Sequence, residues 1–320
     1  MSSQLEMVIL EDLVSSSHQY RKFMELFDFV VIEEILLSCE KESSYKGYGI
    51  CRLFKCIILQ FMEDLSDREL ERFLQENNAA KWFCDFSLTE VTPNFSVFCR
   101  LRKRIGTKRL SKIFSILRDQ MRSKGWMSEV FTFVDASHLI SKAKLWQERD
   151  KAIKLKYDKL NNDNISEVST DKQARIGCKG KDKFWYGFKK HVSVDIQSGL
   201  INKVSVTPAN VTDAQGFGHV CHNSGAVYAD KGYCLNPAKQ VAQRKNIHLA
   251  AIKRNNMAGK NRDFDRWLTF IRSPYERVFS KHNRHVRYVG IAKNQFAEFM
   301  KAICFNMRRI LVLQSDNMTC

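Results

Sequence analysis

Apolar residues keep helical spacing through the first 125 residues of the chain, and strand-like runs alternate with helices only beyond residue 126. Residues 50–62 place large apolar side chains on one stripe, which is typical of a helix packed against other helices. Ser66 and Glu69 have the spacing of a capping box, which predicts a second helix over residues 67–75. Residues 1–125 are therefore expected to form an all-helical N-terminal domain.

Further helices are predicted toward the end of this segment. Thr92 and Pro93 suit the cap and the first turn of a helix, and Gly106 is expected to end it. Another helix is predicted over residues 107–124. Short helices joined in this way are compatible with a helix-turn-helix unit whose second helix enters the major groove of DNA.

The helix that starts at Pro93 carries four basic side chains close together, namely Arg100, Arg102, Lys103 and Arg104. A basic run on a helix is often only a solvated face. General contact with phosphates is as compatible with this run as the reading of a groove. We interpret the four residues as candidate DNA contacts.

The second part of the chain, residues 126–320, predicts three strands, a helix, a strand, a helix, a strand and terminal helices. This is the element order of a ribonuclease H-like fold, so the second domain is expected to be α/β (α+β) with a mixed sheet. The predicted elements are a strand that ends at Asp135, strands over 186–195 and 200–207, a helix over 212–221, a strand that leads to Asp230, a helix over 236–245, a strand over 248–252, and helices to about residue 313 with a break near Gly290. Residues 158–182 are too polar to pack and are expected to form a mobile loop.

Three acidic residues stand where this element order brings side chains together. Asp135 ends the first predicted strand, Asp230 follows the fourth, and Glu276 lies in a late stretch with helical spacing. Carboxylates suit hard cations such as Mg²⁺, which take oxygen ligands and keep positions open for phosphate and water. The three acids therefore point to phosphodiester chemistry, although a lone aspartate after a strand is more often a turn former or a helix cap.

The net charge of the chain indicates which class of molecule it binds. A formal charge of +17 and a pI near 9.4 favour a polyanion, because a basic surface attracts phosphate backbones. Ribosomal and membrane-surface proteins share such a charge, but neither class explains the three acids. The first residues lack the features of a signal peptide, and no apolar run approaches the ~20 residues of a membrane span. We expect a cytoplasmic, nucleoid-associated protein without a membrane partner.

Cysteine and histidine give little support for a structural zinc site. The ten cysteines include no Cys-x-x-Cys pair, and reduced thiols in apolar stretches behave as small hydrophobes. His138 lies three residues past Asp135. We interpret it as a structural residue or as a neighbour of metal ligands rather than as a ligand.

Short sequence words recur in the order of a known family. They span residues 59–60, 65–71, 82–84 and 92–96 in the helical part, and 134–137, 186–191, 207–213, 229–233, 272–279 and 287–294 in the second part. With these words the chain resembles the DDE transposases of bacterial insertion sequences, in particular the large group similar to insertion sequence five. The resemblance covers nearly the whole chain.

The resemblance implies a transposase that cleaves the DNA ends of an insertion sequence and transfers the strands. Asp135, Asp230 and Glu276 would be its catalytic residues and would hold two Mg²⁺ (or Mn²⁺) ions. The implied partners are double-stranded DNA, as terminal inverted repeats and as target, and further copies of the chain in a homodimer or larger synaptic complex. One alternative is a catalytically silent DNA-binding protein derived from a transposase. Another is a host ribonuclease H-like nuclease, which has no evident need for the helical domain.

The family pattern around the third acid is matched in part. Related transposases carry Tyr, Arg, Glu and Lys at fixed spacing, and Arg272 and Glu276 fit two of these positions. Arg272 lies one helical turn before Glu276. It is interpreted either as a bidentate phosphate contact or as an ion-pair partner of Glu276.

Two positions of the same pattern hold other residues. Thr269 stands where the Tyr would be, and Asn283 stands where the Lys would be. The phosphate contact of the missing Lys is expected from a nearby cation, either Lys281 or Arg284.

Overall fold

The computed structural model describes residues 8–38, 47–180, 182–272 and 284–318. The chain divides into two compact units, one of Met1–Ser123 together with Phe299–Cys320 and the other of Lys124–Glu298. The C-terminal residues from 299 onward therefore group with the first 123 residues.

The first unit is all-helical. Its helices are α1 Gln19–Leu26, α2 Val30–Leu37, α3 Ile50–Met62, α4 Asp67–Glu76, α5 Asn78–Phe83 and α6 Phe95–Ser123. The bounds of α3 are those predicted, and most of its side chains are buried. The capping box before α4 is confirmed, since the Ser66 and Glu69 side chains each accept a hydrogen bond from the other residue's backbone N–H.

Helix α6 starts two residues later than the sequence predicts. Thr92 and Pro93 lie outside it, and the Asn94 side chain accepts the hydrogen bond from the Ser96 backbone N–H at 3.1 Å. Asparagine is a strong N-cap residue, so it displaces the weaker threonine signal. The predicted interruption at Gly106 is confirmed, because its φ of 64° and ψ of 170° break the helical backbone and are open essentially to glycine alone.

A long C-terminal helix, Ile291–Met318, completes the first unit with its residues from 299 onward. The rings of Phe114 and Phe299 are 5.5 Å apart. Arg308 donates a hydrogen bond to the Met62 carbonyl, and the Cys304 thiol lies 3.5 Å from a carbonyl oxygen of α3. Among the helices that the structure describes, none is long and apolar enough to cross a lipid bilayer.

The second unit is built on a mixed sheet. Its strands are β1 Phe131–Ile140, β2 Arg175–Lys179, β3 Lys183–Asp195, β4 Ile201–Pro208, β5 Ala226–Ala229 and β6 His248–Ala251. Its helices are α7 Leu145–Lys154, α8 Ile165–Val168, α9 Asp213–Val220, α10 Asn236–Arg244, α11 Arg262–Arg272 and the first turns of α12 Ile291–Met318. A short 3₁₀ turn, Lys231–Tyr233, follows β5.

The strand order confirms the predicted mixed sheet. Antiparallel β3 pairs with β1 on one side and with β4 and β2, one after the other, on its second side. β1 pairs in parallel with β5, and β5 in parallel with β6. The sheet therefore changes from antiparallel to parallel at β1, which is its central strand.

Helices α9 and α10 cover one face of this sheet through a cluster that includes Val134, Phe217 and Val227. The opposite face carries a second cluster around Leu139 and Phe188, as the alternation of side chains along a strand requires. Val134 of the first cluster and Leu139 of the second both lie on β1, so both faces of that strand contribute to the core.

The prediction that residues 158–182 form an unpacked loop is wrong. Ile165 and Ala174 are fully buried in the second cluster, and β2 falls inside this range. Buried Asp171 accepts a hydrogen bond from the Gly290 N–H at 3.0 Å, and its carbonyl accepts one from the Tyr186 hydroxyl at 2.8 Å. Two apolar anchors and one buried carboxylate are enough to order a segment whose composition is polar.

Candidate active site

Two of the predicted catalytic acids directly follow a pair of parallel strands. β1 and β5 pair over four residue pairs, of which the last is Val134 with Ala229. The next residues are Asp135 and Asp230, and parallel strands lie about 4.8 Å apart. The two aspartates therefore start side by side at one edge of the parallel pair. Asp135 does not end its strand as predicted, because β3 continues to pair with β1 as far as Ile140.

Each aspartate is half-buried, and the backbone N–H of the next residue orients its carboxylate. One carboxylate oxygen of Asp135 accepts the Ala136 N–H at 2.8 Å, and one of Asp230 accepts the Lys231 N–H at 2.7 Å. Asp230 also caps the 3₁₀ turn, since its carbonyl accepts the Tyr233 N–H at 2.9 Å. Asp230 therefore caps a turn, as a lone aspartate after a strand often does. The same residue also lies next to Asp135 at the edge of the parallel strand pair.

A third carboxylate, which was not predicted as a site residue, belongs to Asp213 at the start of α9. Lys189 of β3 donates to it at 2.8 Å and to the Val211 carbonyl at 2.8 Å. The second carboxylate oxygen faces Gly232 so closely that a Cβ built on that glycine would lie 2.7 Å from it. Asp213 therefore packs against the turn that follows Asp230. In the sequence it is hidden inside a capping box, which alone explains an acid at that position.

Tyr233 is the last residue of the 3₁₀ turn that Asp230 caps. Its ring is fully buried and packs against Phe217 at 6.1 Å between centroids. Burial, and then the negative charges of Asp213, Asp135 and Asp230, hold the pKa of its hydroxyl well above the usual value. The hydroxyl has no hydrogen-bond partner among the residues that the structure describes.

The predicted third acid, Glu276, lies outside the described residues, as do Lys281 and Asn283. Arg272 is the last residue of α11, and its side chain is likewise not described. Of the three predicted acids, the structure therefore brings Asp135 and Asp230 together.

Arg284, the other candidate for the missing lysine, lies beside the end of β1. Its carbonyl accepts the Ile140 N–H at 2.7 Å, and its guanidinium lies 3.4 Å from the ring of His138. The His138 ring also packs against Trp185 at 5.5 Å. Burial, then Arg284 and Lys179, lower the pKa of His138, so this histidine belongs to a basic, aromatic surface.

Two family models match most of the chain. A transposase domain (DUF772) matches residues 8–104, and a transposase DDE domain matches residues 127–307. The chain belongs to the DDE transposases. The matches extend over both units, but they do not separate the group similar to insertion sequence five, which stays a prediction.

Solved transposases are similar at low identity. A piggyBac transposase in a synaptic complex with hairpin DNA shares 12% identity at a TM-score of 0.35, over 76% of this chain and 52% of that one. This chain thus spans about half the length of that transposase. A Mos1 transposase paired-end complex with the left transposon end (8%, TM-score 0.19, 76% of both chains) and a pre-cleavage Mos1 transpososome (8%, TM-score 0.18, 76% and 77%) are further matches.

Membership in the DDE transposases implies the use of a divalent metal. Within the described ranges, no group of three or more His, Cys, Asp and Glu side chains could hold one. Asp135 and Asp230 nevertheless place two carboxylates at one edge of the parallel strand pair, and the 3₁₀ turn after Asp230 holds a buried hydroxyl without a partner among the described residues. This donor chemistry fits a hard cation rather than zinc, which prefers nitrogen and sulfur.

The four basic residues predicted to contact DNA differ in their exposure and in their contacts within the protein. Arg102 donates to both carboxylate oxygens of Asp67, at 2.8 and 2.6 Å, and also to Gln60 at 3.0 Å. Its side chain is only 11% exposed, so this guanidinium links α6 to α3 and α4. Arg100 and Lys103 are exposed and Arg104 is half-buried.

Proposed function

We propose that this chain cleaves DNA at the ends of an insertion sequence and transfers the freed strands to target DNA. The observation that carries the proposal is the parallel pairing of β1 and β5, which ends with Asp135 beside Asp230. Family membership supplies the reaction class. The acids supply the charge that such a reaction needs.

Asp135, Asp230 and Glu276 would hold two Mg²⁺ or Mn²⁺ ions. Bound there, such ions would supply Lewis-acid activation of an attacking water or 3′-hydroxyl and charge stabilisation of the leaving oxygen. Lys189 keeps its ammonium on Asp213 at 2.8 Å, which offsets the third negative charge next to the site.

Double-stranded DNA would contact the protein through basic side chains of both units. Arg100, Lys103 and Arg104 are the candidates on the first unit, and Arg272 and Lys281 are candidates on the second. Arg284 is exposed beside the strand that carries Asp135. The terminal inverted repeats and the target are the proposed DNA partners, and a homodimer or larger assembly would bring two ends together.

The test is cleavage of duplex DNA taken from the repeats that flank the coding sequence. Asp135→Asn, Asp230→Asn and Glu276→Gln should each reduce Mg²⁺-dependent cleavage and strand transfer to background while leaving end binding largely intact, because each removes charge without altering the basic surface. Asp263→Asn makes the same chemical change at a carboxylate that is 92% exposed, and it should cleave like the unaltered protein.

Wild-type cleavage by any one of the three variants would remove that residue from the site. If the unaltered protein binds the repeats but never cuts them with Mg²⁺ or Mn²⁺, the catalytically silent DNA-binding protein becomes the better description.

A further inference from the structure

The hydroxyl of Tyr233 is buried without a partner among the described residues, and a second buried tyrosine of the same unit shows the contrast. Tyr186 is 2% exposed and its hydroxyl donates to the Asp171 carbonyl at 2.8 Å. Tyr233 is 0% exposed, and within the described part of the chain its hydroxyl meets no partner. Buried hydroxyls are nearly always hydrogen-bonded, so an exception calls for an explanation.

Packing does not explain why a tyrosine stands at this position. The ring fills the cluster beneath α9 and α10, and a phenylalanine would fill the same space without burying a polar atom. The hydroxyl therefore carries a free-energy cost that the fold itself does not require.

The acidic residues near Tyr233 suggest a role for its hydroxyl. Tyr233 follows Asp230 within a single 3₁₀ turn, and Gly232 of that turn is in close contact with the Asp213 carboxylate. Carboxylate oxygens accept hydrogen bonds, whereas a phenol hydroxyl can donate one. We propose that Tyr233 is a positioning residue of the candidate site, whose hydroxyl donates a hydrogen bond to the Asp135–Asp230 pair or to water between them when a divalent cation is held there. This inference rests on the proposed function.

A donor role is favoured over direct ligation. The hydroxyl is fully buried and without a partner among the described residues, and a phenol is a weak ligand but a good hydrogen-bond donor. Hydrogen bonds to ligating carboxylates fix their orientation, and losing such a partner typically weakens metal binding 10–100-fold.

The experiment compares Tyr233→Phe with Tyr186→Phe in the full chain. Mn²⁺ binding is measured by titration calorimetry, and thermal unfolding is followed without metal. Tyr233→Phe should bind Mn²⁺ about tenfold more weakly and melt at the same temperature as the unaltered protein or higher, because an unpaired buried hydroxyl is removed. Tyr186→Phe loses a formed hydrogen bond, so it should melt about 2–4 °C lower and bind Mn²⁺ normally.

Unchanged Mn²⁺ binding by Tyr233→Phe would overturn the inference, and so would a lower melting temperature of this variant without metal, since that would mean the hydroxyl is already bonded. The Asp135→Asn, Asp230→Asn double variant separates the two proposals. If it loses Mn²⁺ binding while Tyr233→Phe keeps it, only the role of Tyr233 fails. If the double variant also binds Mn²⁺ normally, the proposed function fails as well.

Discussion

His191 is a buried histidine that the fold keeps neutral. It has no exposed surface, and its Nε2 lies 2.9 Å from the Thr207 hydroxyl. Burial, then the charges of Lys189 and His219, lower its pKa from 6.5 to about 3. His191 lies on β3, the strand that also carries Lys189.

This histidine should make the fold sensitive to acid. Above pH 6.5 the imidazole is neutral in both the folded and the unfolded chain. As the pH falls from 6.5 toward 3, the imidazole is protonated in the unfolded chain but stays neutral in the folded one. The free energy of unfolding therefore decreases. Between pH 8 and pH 5 the free energy of unfolding should fall by about 2 kcal/mol more in the unaltered protein than in His191→Gln.

Chemical denaturation at both pH values measures this difference. His248→Gln, at an exposed position of β6, is the matched control and should follow the unaltered protein. Parallel pH dependence of His191→Gln and the unaltered protein would mean that His191 does not set the acid limit of the fold.

Helix α9 offers a prediction at the scale of an element, because two of its glycines have different surroundings. A Cβ on Gly216 would lie 2.1 Å from the His191 ring, whereas a Cβ on Gly218 would meet nothing closer than a Val241 methyl at 3.7 Å. Gly216→Ala should therefore destabilise the protein by about 3 kcal/mol through overpacking. Gly218→Ala should stabilise it by about 0.5–1 kcal/mol, since alanine favours the helix.

Each variant serves as the control for the other, because both make the same substitution within one helix. Urea unfolding gives the two free-energy changes. Equal effects of the two substitutions would show that α9 does not press against β3 as described.

The element predictions succeeded where local chemistry decides the structure. The bounds of α3 follow from its apolar stripe, and the start of α4 follows from its capping box. They failed where distant parts of the chain decide it. The strand that carries Asp135 is longer than its own sequence indicates, because β3 offers it further partners.

The same distinction applies to the candidate site. Asp135 and Asp230 were predicted from strand-end aspartates, a local pattern that a known family shares. The Lys189–Asp213 ion pair joins residues 24 positions apart, and only the packing of α9 against the sheet brings them together. The burial of Tyr233 in the cluster beneath α9 and α10 also depends on tertiary contacts, which explains why neither feature was predicted.

Across the whole molecule, the net charge of +17 predicts binding of DNA that weakens steeply with salt. Neutralising Arg100, Lys103 and Arg104 together, as glutamines, should weaken end binding. It should also reduce the slope of log affinity against log salt by about 0.9 for each phosphate contact that is lost. Titrations of labelled repeat DNA at several salt concentrations measure the slope.

Two controls sharpen this comparison. Lys239, Arg244 and Lys245, changed to glutamine together, remove the same charge around α10, and an equal loss of slope there would mean that no particular surface binds DNA. Arg102→Gln should leave the slope unchanged and destabilise the protein by about 2 kcal/mol, because it breaks the pair with Asp67.

The return of the C-terminal helix to the first unit has a consequence for the newly made protein. Residues 299–320 belong with Met1–Ser123, so that unit cannot be finished when its first 123 residues have emerged from the ribosome. At 5–20 residues per second, the missing helix arrives roughly 10–40 s later. During that interval the apolar surface around Phe114 lacks its Phe299 partner, and the nascent chain should be a better substrate for chaperones and proteases than the finished one.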